Sequence, residues 1–109
     1  MTFDELLADR VRNALAARAD VSERKMFGGI AFMIAGNMAV GLIGDDLMVR
    51  LEPADAERAL AEPHVRPMDF TGKPMKGMVF VDSAGTVADD DLASWVDAGA
   101  DFAASLPPK

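Results

Sequence analysis

The sequence predicts a two-layer α+β fold, in which an antiparallel five-stranded sheet carries its helices on one face. Apolar residues recur at helical spacing near both ends of the chain, whereas short apolar runs separated by glycine, asparagine and aspartate occupy the middle. The length of 109 residues is that of one domain with its own core. We expect a single domain over residues 1–109, in the order helix, three strands, helix, two strands, helix.

The first helix is predicted over residues 3–18. Thr2 and Glu5 have the spacing of a capping box, in which each side chain bonds the backbone of the other residue at a helix start. Arg18 lies where the helix dipole favours a cation. The apolar stripe that would pack against the sheet repeats at steps of three and four: Phe3, Leu6, Leu7, Val11, Ala14 and Leu15.

Three central strands are predicted within residues 24–51. The first begins at Arg24 and continues to Ala35, and the pair Gly28-Gly29 inside it indicates a bulge or a bend. A phosphate-binding loop would need further glycines, a lysine beside a hydroxyl residue and a following helix, and these do not follow here. The next predicted elements are the hairpin turn Gly36-Asn37, a strand at 38–43, a turn at 44–46 and a strand at 47–51.

The second half of the chain is predicted to begin with a short helix. Pro53 suits the first turn of a helix over residues 53–61. Pro63 and Pro67 end that helix and favour extended backbone around His64. The elements predicted after it are further strand at 68–70, a turn at 71–74 and a strand at 75–81.

The last helix is predicted to open at the acid run Asp89-Asp90-Asp91. Acidic residues suit the first turn because the helix dipole is positive there. We do not interpret the run as a metal site, since adjacent acids in one helical turn cannot all converge on one ion. The apolar positions of this helix are Leu92, Trp95, Val96, Gly99, Phe102, Ala103 and Leu106.

The predicted strands are apolar on both faces, whereas a sheet covered on one side usually alternates apolar with polar residues. In the first strand Ile30, Phe32 and Ile34 oppose Ala31, Met33 and Ala35; in the next, Met38, Val40 and Leu42 oppose Ala39, Gly41 and Ile43; in the last, Met78 and Phe80 oppose Val79 and Val81. One layer of helices leaves apolar surface of such a sheet uncovered.

A monomer seldom exposes a contiguous apolar patch above a few hundred Å². We therefore expect a homodimer or another protein partner to cover part of the free face or edge. The interface residues expected are Ala31, Met33, Ile43 and Met48. The alternative is that the three helices wrap more of the sheet.

Composition argues against several classes of protein. The chain has no cysteine, which excludes disulfides, thiol nucleophiles and cysteine-ligated metals. A net charge of −7 repels phosphate backbones and argues against nucleic-acid binding. Charges throughout residues 1–20, and the lack of an uncharged run of about 18 residues, argue against a signal peptide and a membrane span. We expect a cytoplasmic protein.

The sequence shows no catalytic constellation. His64 is the only histidine, so a Ser–His–acid triad or a metal site would need it to meet distant partners. None of the four serines lies in a nucleophile-elbow setting. We expect no enzymatic activity, no cofactor and no metal.

Basic residues on the strand segments offer an alternative function. If the two groups of strands lie side by side, some of these cations could converge near Gly28-Gly29 on a small anionic ligand or an acidic partner segment. The other interpretation is that they are solvated edge charges, which discourage aggregation between strands. The residues concerned are Arg24, Lys25, Arg50, Lys73 and Lys76.

Several motifs together resemble the N-terminal domain of the TfoX/Sxy family. They are Arg-Lys-Met-Phe-Gly-Gly at 24–29, the Gly36-Asn37 turn, Asp-Leu-Met-Val-Arg-Leu at 46–51, Met-Asp-Phe-Thr-Gly-Lys-Pro-Met-Lys-Gly at 68–77 and the Leu92…Trp95-Val96 helix. The resemblance covers roughly residues 10–107 and is closest to stand-alone members, which lack the C-terminal helical domain of the long ones.

The resemblance implies a small α+β domain of the secretion-chaperone-like kind, with the same order of elements as derived above. The family is named for bacterial regulators of natural competence, and it supplies no catalytic residues to transfer. The expected function is therefore a non-catalytic regulatory or protein-interaction domain that acts through its sheet.

Overall fold

A computed structural model describes residues 3–26, 28–67 and 77–109 of the chain. The described elements are α1 (Glu5–Ala14), β1 (Val21–Met26), β2 (Gly29–Ile34), β3 (Asn37–Ile43), β4 (Asp46–Arg50), α2 (Pro53–Ala59), β5 (Val65–Pro67), β6 (Met78–Val81), a 3-10 turn (Ser83–Gly85) and α3 (Asp89–Ala104). The strand predicted at 68–70, the turn at 71–74 and the start of the strand predicted from residue 75 lie outside the described residues.

The described strands form one antiparallel sheet in the order β1-β2-β3-β4-β6-β5. The first four strands are neighbours in sequence and in space. After α2 the chain returns on the far side of β4, where β6 pairs with β4 and β5 forms the edge. The predicted fold class is confirmed, with six strands in place of the five expected.

The additional strand arises at the paired glycines, where the sequence predicts a bulge or a bend inside one strand. β1 and β2 are separate strands of a hairpin whose register pairs Met26 with Gly29. Gly28 has φ 75°, a left-handed conformation that a residue with a side chain rarely adopts. A Cβ at Gly29 would overlap the carbonyl oxygen of Leu42 on β3. The pair therefore closes a turn and permits a close strand approach.

A bulge does occur, but in β3. Phe32 pairs with Val40 and Met33 pairs with Met38, so Ala39 is an extra residue without a partner of its own on β2. The bulge reverses the alternation, which places Met38 with Ile43 on the side opposite the helices. The prediction that Met38 shares a face with Val40 and Leu42 is wrong for this reason.

The first helix begins at Glu5 because Asp4 is its N-cap. The Asp4 carboxylate accepts hydrogen bonds from the backbone N–H groups of Leu6 (2.9 Å) and Leu7 (3.2 Å). The Asp4 N–H donates to the carbonyl oxygen of Gly44 at 2.8 Å, so the preceding residue, Phe3, lies beside the sheet and outside the helix. Thr2 of the predicted capping box lies outside the described residues.

The later helices agree more closely with the prediction. α2 begins at Pro53 as expected and ends two residues early, at Ala59. α3 has the three aspartates in its first turn, with Ala88 as the N-cap. α1 ends at Ala14, so Arg18 lies beyond the helix, where its guanidinium pairs with Asp101 (2.8 Å) and Asp97 (3.3 Å) of α3.

All three helices pack on one face of the sheet, as predicted. A single cluster of buried residues contains Leu7 and Val11 of α1, Ala56 of α2, Val96 of α3 and one set of strand side chains. Those strand side chains are Ile30, Phe32, Ile34, Ala39, Val40, Leu42, Leu47, Val49, Val79 and Val81. α3 approaches the sheet closely at Gly99, where a Cβ would be 2.5 Å from the Ala39 carbonyl oxygen.

Replacing Gly99 with alanine should lower the free energy of unfolding by about 1–2 kcal/mol. The added methyl group would collide with β3, and overpacking costs about 1–3 kcal/mol, more than the roughly 1 kcal/mol that alanine gains over glycine in a helix. Urea unfolding measures the difference. Ser94→Ala, at an exposed position of α3, should leave stability nearly unchanged. A Gly99→Ala protein as stable as wild type would contradict the close-packing account.

An ion pair joins α1 to the edge strand β1. Nε of Arg12 lies 2.7 Å from one Glu23 carboxylate oxygen, and Nη2 lies 2.9 Å from the other. This hydrogen bonding lowers the pKa of the Glu23 carboxyl, against a smaller opposing effect of burial, and it raises the pKa of Arg12. The lowered pKa means that the folded state favours the ionised carboxylate.

Glu23→Gln should destabilise the protein by about 0.5 kcal/mol at pH 7, a value typical of a half-exposed ion pair. Because the pKa is lower in the folded state, the contribution is complete above the unfolded value of about 4.3 and is lost as the pH falls below it. Urea unfolding at pH 7 and at about pH 3 should therefore show the difference from wild type shrinking in acid. Glu57→Gln, at an exposed position of α2, makes the same chemical change away from Arg12 and is the control. A difference that persists unchanged in acid would rule out the ion pair as its cause.

Candidate functional site

The sheet face opposite the helices, here called the second face, is apolar across its centre. Strand pairing aligns one row of residues across it, from Arg24 on β1 through Ala31, Gly41, Met48 and Phe80 to Arg66 on β5. Residues paired across neighbouring strands lie on the same side of a sheet. The apolar members of the second face are Ala31, Met33, Met38, Gly41, Ile43, Met48, Met78 and Phe80.

The centre of the second face is packed. Met48 and Phe80 are only 4% and 6% exposed and form a small cluster of their own, separate from the main core. The absence of a side chain at Gly41 leaves room for two methionine tips: a Cβ there would lie 2.5 Å from the Met48 methyl group and 3.3 Å from that of Met38. The flexible thioether side chains thus cover the sheet backbone.

Four residues were predicted to form an interface, and all four lie on the second face. Ala31 and Met48 are buried, whereas Met33 and Ile43 are half-buried. The surface available for contact is therefore the half-buried group around the packed centre. That group consists of Met33, Met38, Ile43 and Met78.

Arg66 borders the second face on β5. Its guanidinium carbon lies 4.5 Å from the centroid of the Phe80 ring, a cation–π geometry. The same group pairs with Asp46 and, at 3.1 Å, with Asp82. Sequence reasoning missed Arg66, because its partners lie on other segments of the chain and no local pattern signals them.

The predicted basic residues do not all come together. Arg24 and Lys25 are exposed neighbours on β1, so their side chains project to opposite sides of the strand. Arg50 lies on β4, three strand spacings or about 14 Å away. Its guanidinium carbon is 5.5 Å from the centroid of the Phe102 ring on α3, a cation–π contact. Lys73 and Lys76 lie outside the described residues.

His64 and Asp89, the other polar residues considered from the sequence, make hydrogen bonds or ion pairs within the protein. His64 is exposed, with φ 67°, and its carbonyl oxygen accepts a hydrogen bond from the Asp82 N–H at 2.8 Å. Asp89 pairs at 3.0 Å with Arg10, which also donates to the Thr86 carbonyl oxygen at 2.7 Å. Within the described ranges, no three histidine, cysteine or acidic side chains cluster as metal ligands would.

A family model described as the TfoX N-terminal domain matches residues 13–103. The chain belongs to the TfoX N-terminal domain family. The matched range contains every described strand, and therefore both faces of the sheet. The comparisons with curated proteins and with solved structures give no match. No helix among the described residues of this TfoX N-terminal domain is long and apolar enough to cross a bilayer.

Met48→Ala should lower the free energy of unfolding by about 2–4 kcal/mol, because it removes a buried side chain and leaves a cavity. Met33→Ala makes the same change at a half-buried position of the same face and should cost about 1 kcal/mol or less. Thermal and urea unfolding of the two variants measure the contrast. Equal losses would mean that the face has no packed centre distinct from its surroundings.

Proposed function

We propose that this TfoX N-terminal domain is a non-catalytic regulatory domain that acts by protein–protein contact through the second face of its sheet. The observation that carries the proposal is the half-buried group of apolar side chains on that face, Met33, Met38, Ile43 and Met78. Three of these four residues are methionines. The methionine side chain is unbranched and polarisable, so it adapts to an opposing surface better than a branched side chain does.

A second copy of the chain is the occupant that the charges favour. The chain has a net charge of −7, so two copies repel each other over most of their surfaces. At the second face, Arg66 neutralises part of the charge of Asp46 and Asp82, and Arg24 adds a further cation at the edge. Two identical acidic molecules can approach with least repulsion where their own charges balance.

The regulatory part of the proposal follows from the family. TfoX/Sxy proteins are named for the regulation of natural competence in bacteria, and a related regulatory role is the one we propose here. The bacterial cytoplasm is the compartment that goes with it, and the lack of cysteine fits a reducing environment. The domain would then act by holding a partner, with no chemical step.

Sedimentation equilibrium at micromolar to millimolar concentration tests the homodimer. The wild-type chain should sediment as a species heavier than the 11.6 kDa monomer. The double variant Met33→Glu/Met78→Glu should shift to the monomer, because it places two anions in the contact surface of each copy. Circular dichroism melting shows whether the variant remains folded.

Leu6→Glu is the matched control, since Leu6 is 76% exposed on α1 and belongs to the helical layer. It adds the same charge and should leave the association unchanged. A single 11.6 kDa wild-type species at all concentrations would overturn the homodimer. A heavier species that persists in the folded double variant would place the contact on a different surface.

A further inference from the structure

A groove on the helical layer, on the side of the sheet opposite the second face, is a further candidate binding surface. It lies between α2 and α3 and has a volume of about 590 Å³. Ligand sites commonly range from about 300 to 1,000 Å³. The groove is lined chiefly by side chains of the two helices, and Leu51 adds an apolar lining residue.

The apolar lining comes from one stripe of α3. Trp95, Ala98 and Phe102 follow at steps of three and four and therefore share one side of the helix. The groove is lined by small residues on both helices, Ala98 on α3 and Ala59 on α2. Trp95 and Phe102 are both half-buried, so the chain leaves part of each aromatic ring accessible.

The lining of the groove carries more carboxylates than cations. Four carboxylates line the groove, those of Glu52, Asp55, Glu62 and Asp101, against the single cation Arg58. Arg58 pairs with Asp55 of the same short helix, and Asp101 pairs with Arg18. Glu52 and Glu62 are therefore the two lining carboxylates that have no ion pair among the described residues. Aromatic rings bordered by carboxylates attract cations both by charge and through the ring faces. One face of Phe102 already has such a contact, because the Arg50 guanidinium lies over it, so Trp95 is the lining ring that has no such contact in the described part of the chain.

We propose that the groove between α2 and α3 binds a basic amphipathic helix of a partner protein. The apolar side of such a helix would fit the Trp95–Ala98–Phe102 stripe, and its lysines or arginines would face Glu52 and Glu62. The lining residues of α3 and its C-cap run from Trp95 to Ser105, a length of about 15 Å at 1.5 Å per residue. This length suits two to three turns of a docked helix. This binding does not depend on the proposed dimer, and a monomeric chain would have the same groove.

Trp95 makes the proposal directly measurable, because it is the only tryptophan and the chain has no tyrosine. The probe is a three-turn helical peptide of leucine and lysine, with leucines on one side. Titration into the full chain at physiological salt should change Trp95 fluorescence saturably. A scrambled peptide of the same composition, and a leucine–glutamate version, should not produce that change.

Two variants locate the binding. Glu52→Gln/Glu62→Gln should weaken binding of the leucine–lysine peptide by about tenfold, through the loss of two exposed charges. Asp90→Asn/Asp91→Asn removes the same charge at the start of α3, outside the groove lining, and should bind as wild type does. Ala98→Leu places a larger side chain in the groove lining and should abolish the fluorescence change, with circular dichroism melting to show that the fold persists.

Some results would overturn the proposal. One is the lack of a saturable fluorescence change with the leucine–lysine peptide, and another is equal binding of the scrambled peptide. A third is equal weakening of peptide binding by the Glu52→Gln/Glu62→Gln and Asp90→Asn/Asp91→Asn variants. A saturable response to free arginine or spermidine that exceeds the peptide response would replace it with a small-cation site. The sedimentation behaviour of the wild-type chain bears on the dimer alone, so the two proposals can fail separately.

Discussion

The contact between Gly99 of α3 and the backbone of β3 at Ala39 controls how the two layers fit. A side chain at residue 99 would collide with the Ala39 carbonyl oxygen, so glycine lets the longest helix lie directly on the sheet. Ala39 is also the extra residue of the β3 bulge. The same place thus sets both the distance of α3 from the sheet and the face on which Met38 lies. The groove beside α2 and the Arg50–Phe102 contact depend on that position of α3.

The two layers present surfaces of different chemistry. The helical layer is acidic, because α3 carries five aspartates and neither lysine nor arginine, and Asp55 of α2 with the flanking Glu52 and Glu62 adds carboxylates at the groove. The second face is apolar, with the acids at its border paired to Arg66. Like charges repel between two copies of an acidic chain, whereas a basic partner is attracted. The balanced face therefore suits self-association, and the acid-lined groove suits a cationic partner. Neither surface requires a reacting group.

Much of the architecture could be predicted because the signals are local. Each helix signal lies within a few residues of the chain: Pro53 for α2, and the acids at 89–91 with the apolar spacing after them for α3. Both helices form where these signals predict them. Gly28-Gly29 shows the limit of such reading, since a bulge and a hairpin turn both favour glycine and only the pairing of β1 with β2 separates them. The candidate site was predictable in part: Met33 and Ile43 lie on the second face by alternation, but the burial of Ala31 and Met48 depends on neighbouring strands.

By itself, the sequence determined the class of fold, the two apolar sides of the strands, the acidic character and the family motifs. These properties depend on residue type and on spacing along one segment. The tertiary structure alone decided the strand order, the β3 bulge, the separation of Arg24 from Arg50, and the positions of Arg66 and the α2–α3 groove. Each of these joins residues from distant segments, and the energy of such a contact exists only after the segments have packed together.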